Sequence, residues 1–140
     1  MSTAVRPELT RRNPYWIDRH RYYELKHFCL QYPRWRRIYA SLSGYGSVST
    51  SVTRAPAAEH IFADPTAQTA ENRLFYADRM RMVEDTATAT GGELSAYILR
   101  GVTEGLSYEH LRALANIPCG KETYYQLYRR FFYLLDKVRQ

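Results

Sequence analysis

Three consecutive residues, Gly105, Leu106 and Ser107, force one helix to stop and another to begin almost at once. Glycine accepts the left-handed conformation that closes a helix, and serine offers a hydroxyl to the free N–H groups of a new first turn. A short helix over Tyr108 to Ala115 follows. Leu106 and Leu111 stand five residues apart across the Ser107 cap, the spacing of a hydrophobic staple. A second turn comes immediately, because Asn116 tolerates the left-handed region, Pro118 cannot continue a helix, and Gly120 lets the chain restart. A last helix then runs from Lys121 to Val138. This order of short helix, turn and long helix across residues 105–140 is the pattern with which many proteins seat one helix in the major groove of DNA.

The last helix is two-faced. At about 100° per residue, Tyr124, Leu127, Tyr128, Phe131, Phe132, Leu134, Leu135 and Val138 fall in one broad apolar arc that needs a buried partner. The opposite arc holds Glu122, Tyr125, Gln126, Arg129, Arg130, Tyr133, Asp136 and Lys137, with Lys121 near its edge and Thr123 on its border. Tyrosines and a glutamine between arginines make the mixture that contacts phosphates and base edges. A solvated basic face is the competing reading, and the cap, staple and turn before the helix weigh against it.

Charge matters here by position. The net charge is +6; residues 1–40 contribute +6, residues 41–105 contribute −3 and residues 106–140 contribute +3. Two basic ends around an acidic middle favour a polyanion as partner, since each neutralised phosphate releases counterions. The two cysteines, Cys29 and Cys119, lie far apart and form no C-x-x-C pair, which fits a reduced, intracellular protein while leaving a bond between them open. The sequence shows no apolar run of membrane-span length, and the polar segment Met1–Asn13 lacks the core of a signal peptide. A cytoplasmic location is expected.

Upstream, residues 1–13 read as a flexible basic arm and residues 14–42 as an N-terminal helical region interrupted at Pro33. In its second part Trp35, Ile38, Tyr39 and Leu42 point inward, and Arg34, Arg36 and Arg37 outward, as a second polyanion contact or a solvated face. Residues 43–63 are rich in Ser, Gly, Thr and Ala without a periodic apolar face and read as a linker. Asp64 followed by Pro65 is a helix start that runs to about Thr90, with Tyr76, Met80, Val83 and Ala87 as its stripe and Gly91-Gly92 as its stop. Glu93 to Glu104 forms a further helix on Leu94, Ile98 and Val102. The expected fold is all-α: a helical arm and a helical domain over 64–140, ending in a three-helix bundle.

Chemistry is not signalled. The imidazoles of His20, His27, His60 and His110 and the thiol of Cys29 offer only one close pair, His27 and Cys29, where a structural zinc site needs four well-spaced ligands, so no metal and no cofactor are expected. The glycine pairs follow no strand and precede no G-K-S/T, so they cradle no phosphate. Neither a nucleophile motif nor a paired-carboxylate site is present, and an Arg and His constellation around a catalytic tyrosine would hardly fit in this length. The chain is expected to have no catalytic residues.

Gly105-Leu106-Ser107-Tyr108-Glu109 ahead of a short helix, a turn and a basic aromatic helix resembles the DNA-binding fourth region of sigma factors. Ile117-Pro118-Cys119-Gly120-Lys121-Glu122-Thr123-Tyr124-Tyr125 is similar to the turn and recognition-helix start of phage transcriptional activators of the RinA and ArpU type, and Tyr22-Tyr23-Glu24-Leu25-Lys26 resembles their opening helix more loosely. The turn is longer than the sigma pattern, and Asn116 stands where glycine is common. The resemblance implies a phage or prophage regulator of transcription, with double-stranded DNA as partner and RNA polymerase as a candidate second one. Its DNA-binding residues would be Lys121, Thr123, Tyr125, Gln126, Arg129 and Arg130. Two other readings stand beside it: a DNA-packaging protein of the small-terminase kind, and a helical adaptor for protein or anionic membrane.

Overall fold

The computed structural model describes residues 12–42 and 65–140, all of it helix, turn or irregular chain without a strand. The helices are α1 (Arg19–Leu30), α2 (Tyr32–Leu42), α3 (Pro65–Gly91), α4 (Ser95–Glu104), α5 (Tyr108–Ala115) and α6 (Lys121–Val138), with a 3₁₀ turn at Gly92–Leu94 between α3 and α4. The expected arm, apart from its last two residues, the linker and the Asp64 cap lie outside the described residues. Among the described residues no helix is long and apolar enough to cross a membrane.

Two compact units emerge. One holds residues 12–31 and 82–140, the other residues 32–42 and 65–81. Thus α1 belongs with the C-terminal helices rather than with α2. The reason is its buried side, Tyr22, Leu25, Phe28 and Cys29, on a helix that contacts α4 and α6. The helix starts later than its sequence suggests. Asn13 closes a turn, taking the Trp16 N–H on its carbonyl at 3.0 Å and the Tyr15 N–H on its side chain at 2.8 Å. Asp18 then caps α1 through the His20 N–H at 2.9 Å. The break between α1 and α2 falls at Gln31, and Pro33 sits in the first turn of α2, where its missing N–H costs nothing.

The larger unit is built around α4. Val83, Ala87, Ile98, Val102, Leu111, Phe131, Phe132 and Leu135 are buried, with Thr86, Thr90 and Thr103 among them. Each threonine hydroxyl donates to the carbonyl four residues back, at 2.8, 2.7 and 2.7 Å, so the polar tail of α3 and the end of α4 enter the core with those hydroxyls satisfied. Arg21 ties α1 to the end of α6. Its Nε lies 2.5 Å from Asp136 Oδ1 and its Nη2 donates to the Arg139 carbonyl at 2.8 Å, a cation at a helix C-terminus. Asp136 in turn holds the guanidinium more firmly protonated.

Candidate nucleic-acid interface

The local signals of the sequence produce the geometry around α5. Gly105 adopts φ 69° and ψ 34°, and its N–H and that of Leu106 both return to the Gly101 carbonyl, the latter at 3.1 Å. Ser107 Oγ accepts the His110 N–H at 3.2 Å. Asn116 is left-handed at φ 52°, and its N–H closes on the Arg112 carbonyl at 3.0 Å. Gly120 then precedes α6 in extended conformation, accepting the Tyr124 N–H at 3.0 Å. Ile117 anchors the turn from inside, while Pro118 is exposed.

Tyrosines brace this corner. The Tyr108 hydroxyl donates to the Cys119 carbonyl at 2.7 Å and accepts from Arg112 Nη1 at 3.2 Å, fixing the turn to α5. The Tyr108 N–H donates to the Tyr125 hydroxyl at 3.1 Å, so a side chain of α6 takes one of the free donors at the start of α5. Tyr125 is therefore a correction to the expected DNA-facing set. It is 7% exposed, and its hydroxyl serves α5 rather than a duplex.

The buried side of α6 is turned toward Tyr125 relative to the apolar arc of the sequence. Tyr124, Tyr125, Phe131, Phe132 and Leu135 are buried, whereas Leu127 and Leu134 are half-buried and Val138 is exposed. Tyr22 of α1 sets this rotation by stacking edge-on against Phe132 at 5.2 Å and sharing a 2.6 Å hydrogen bond with the Tyr128 hydroxyl. Burial first, and Tyr22 next, push the Tyr128 phenol well above its ordinary range. Asp136 also leaves the outward set, because it faces Arg21.

What remains outside is compact. Thr123 and Gln126 are exposed and Arg130 is half-buried, and none of the three side chains makes a hydrogen bond or ion pair among the described residues. With Glu122 and Leu127, Thr123 and Gln126 line an open groove of about 370 Å³. Lys137 continues this side and sits 4.5 Å from the Tyr133 ring centre. Lys121 is exposed but pairs with Glu109 of α5 at 3.1 Å, a contact that lowers the Glu109 carboxyl and raises the Lys121 ammonium. Arg129 is half-buried and, among the described residues, bonds only within its own helix, at 3.5 Å from the Tyr125 carbonyl. Structure thus brings Thr123, Gln126 and Arg130 together as an unencumbered strip, keeps Lys121 and Arg129 at its margins, and removes Tyr125.

Among the described residues no three His, Cys, Asp or Glu side chains gather as a metal site would require. His60 lies outside them. Both cysteines are free; burial pushes the thiol of Cys29 far up and that of Cys119 up more mildly. No known family model, curated protein or solved structure matches this chain.

Proposed function

We propose that the chain is a non-enzymatic, DNA-binding regulator of transcription that reads double-stranded DNA with α6 as the recognition helix of a helix-turn-helix. The observation that carries this reading is the braced corner between α5 and α6, which holds Thr123, Gln126 and Arg130 outward with no protein partner among the described residues. A rigid helix offering an amide and a guanidinium has the donors and acceptors that the major groove reads: glutamine fits adenine in two-point contact and arginine fits guanine. Lys121 and Arg129, at the margins, suit phosphate contacts. The resemblance to phage activators of the RinA and ArpU type supports a phage or prophage setting, a cytoplasmic site of action and RNA polymerase as a second partner.

The test is titration of the full chain against a fluorescent mixed-sequence duplex at two salt concentrations, followed by selection from a randomised duplex library. Affinity should fall steeply with salt and the selected duplexes should converge on one motif. Replacing Gln126 and Arg130 by Ala should relax that motif at discrete positions. Absence of duplex binding at low salt refutes the reading.

A further inference from the structure

The smaller unit carries a basic surface that α6 does not account for. On α2, Tyr32 and Trp35 are buried and Ile38, Tyr39 and Leu42 are half-buried, which at about 100° per residue fills one side of the helix. The other side presents Arg34, Arg36 and Arg37, all exposed, and the helix contains no acidic residue. Arg36 lies 5.8 Å from the Tyr32 ring centre, while the guanidiniums of Arg34 and Arg37 make no hydrogen bond or ion pair among the described residues. Ser41, the hydroxyl on this side, turns back to the Ile38 carbonyl at 2.8 Å.

Helix stability does not explain this placement. Cations are favoured near a helix C-terminus and disfavoured in its first turn, yet Arg34 stands in the first turn of α2, Arg36 and Arg37 follow by mid-helix, and its last turn has no cation. Three guanidiniums with no carboxylate paired to them among the described residues repel one another, and a line of phosphates would remove both penalties at once.

We infer that Arg34, Arg36 and Arg37 form a second, sequence-independent contact with the phosphate backbone of duplex DNA, separate from the base-reading helix. This rests on the reading of the protein as DNA-binding. Charge complementarity selects the partner: a surface of guanidiniums spread over nearly half of a helix fits a regular row of phosphates and offers nothing that discriminates bases.

The experiment compares the full chain with the R34Q/R36Q/R37Q variant and with a lysine counterpart, R34K/R36K/R37K. Binding to a mixed-sequence duplex is followed from 50 to 300 mM salt. Each lost phosphate contact flattens the slope of log K against log salt by about 0.9, so the glutamine variant should be flatter by about two to three, with the lysine variant close to wild type. The motif selected from a random library should not change. Helicity should hold in the glutamine variant, so that a flatter slope reports lost phosphate contacts rather than unfolding of α2. A slope unchanged in the glutamine variant, where the wild type does bind DNA, overturns the inference and leaves the α6 reading standing, whereas a wild type that binds no duplex refutes the α6 reading itself. Loss of binding to anionic phosphatidylserine vesicles with an unchanged duplex slope also overturns it, by assigning the surface to lipid.

Discussion

The hydroxyl of Tyr124 on α6 rests against the backbone of Gly101 on α4, in the space that a side-chain methyl would need. A Cβ at 101 would collide with that oxygen and lie 3.2 Å from Tyr124 Cζ and 3.3 Å from Leu111 Cδ1. The close approach of α4 and α6 therefore depends on glycine at a helical position where alanine is otherwise better by about 1 kcal/mol. Gly101→Ala should destabilise the fold by about 1–3 kcal/mol through overpacking, read from urea unfolding. The Tyr124 hydroxyl is itself buried without a hydrogen-bond partner among the described residues, and burial pushes its phenol far up. Tyr124→Phe should leave stability equal or higher, and Gly101→Ala should cost less in that background. Equal costs in both backgrounds would show that the two positions do not press on each other.

The assignment of Tyr125 makes a separate prediction. Removing its hydroxyl strands the Tyr108 N–H at the start of α5, so Tyr125→Phe should cost about 1–3 kcal/mol of stability. Duplex affinity, measured where the protein is fully folded, should stay at the wild-type value. Gln126→Ala should do the reverse, with stability within about 0.5 kcal/mol of wild type and a loss of about 1–3 kcal/mol of discrimination at one base pair. A Tyr125→Phe protein that is stable but fails to bind DNA would return the tyrosine to the interface.

These two residues mark the limit of what the sequence discloses. Gly105, Ser107, Asn116 and the bounds of α5 and α6 are legible because caps act within a few residues, and the structure places them where local chemistry demands. The rotation of α6 is not legible. Apolar and aromatic side chains cover so much of this helix that hydropathy does not choose between an edge at Tyr125 and one at Leu134. The choice is made by distant partners, Tyr22 of α1 and the Tyr108 N–H of α5. A donor left free at the start of α5 was the one clue, since it called for an acceptor. The same limit hid Thr86 and Thr90, whose burial depends on hydroxyls bonding backward along α3.

Alkaline pH should unfold the larger unit in a definable window. Tyr124 and Tyr128 are both held in the neutral form, chiefly by burial, and Cys29 is held as the thiol by the same cause. Raised folded values mean that their contribution is complete below the unfolded values and declines as pH climbs past them toward the folded ones. Loss should begin above about pH 8.5 for the thiol and above about pH 10 for the phenols. Tyrosinate absorbance should rise in two steps, exposed phenols first and the buried ones only together with the loss of helical circular dichroism. A single smooth titration preceding unfolding would show that these hydroxyls reach solvent in the native state.

Arg21 ties α1 to the end of α6 beside the contact of Arg139 with the Phe28 ring, 3.8 Å from its centre, and its bonds to α6 are of two kinds. One is an ion pair with Asp136, both side chains roughly a third exposed; the other is a donation to the Arg139 carbonyl at the helix terminus. Arg21→Ala should lose both and cost about 1–2 kcal/mol, while Asp136→Asn keeps the carbonyl contact and should cost about half as much. Salt separates them further, because screening weakens an exposed ion pair and hardly touches a bond to a carbonyl. In thermal melts at 50 mM and 1 M sodium chloride, the gap between wild type and Asp136→Asn should close at high salt, and the gap to Arg21→Ala should persist in part. If Asp136→Asn matches Arg21→Ala at both salts, the carbonyl contact contributes nothing and the tie is the ion pair alone.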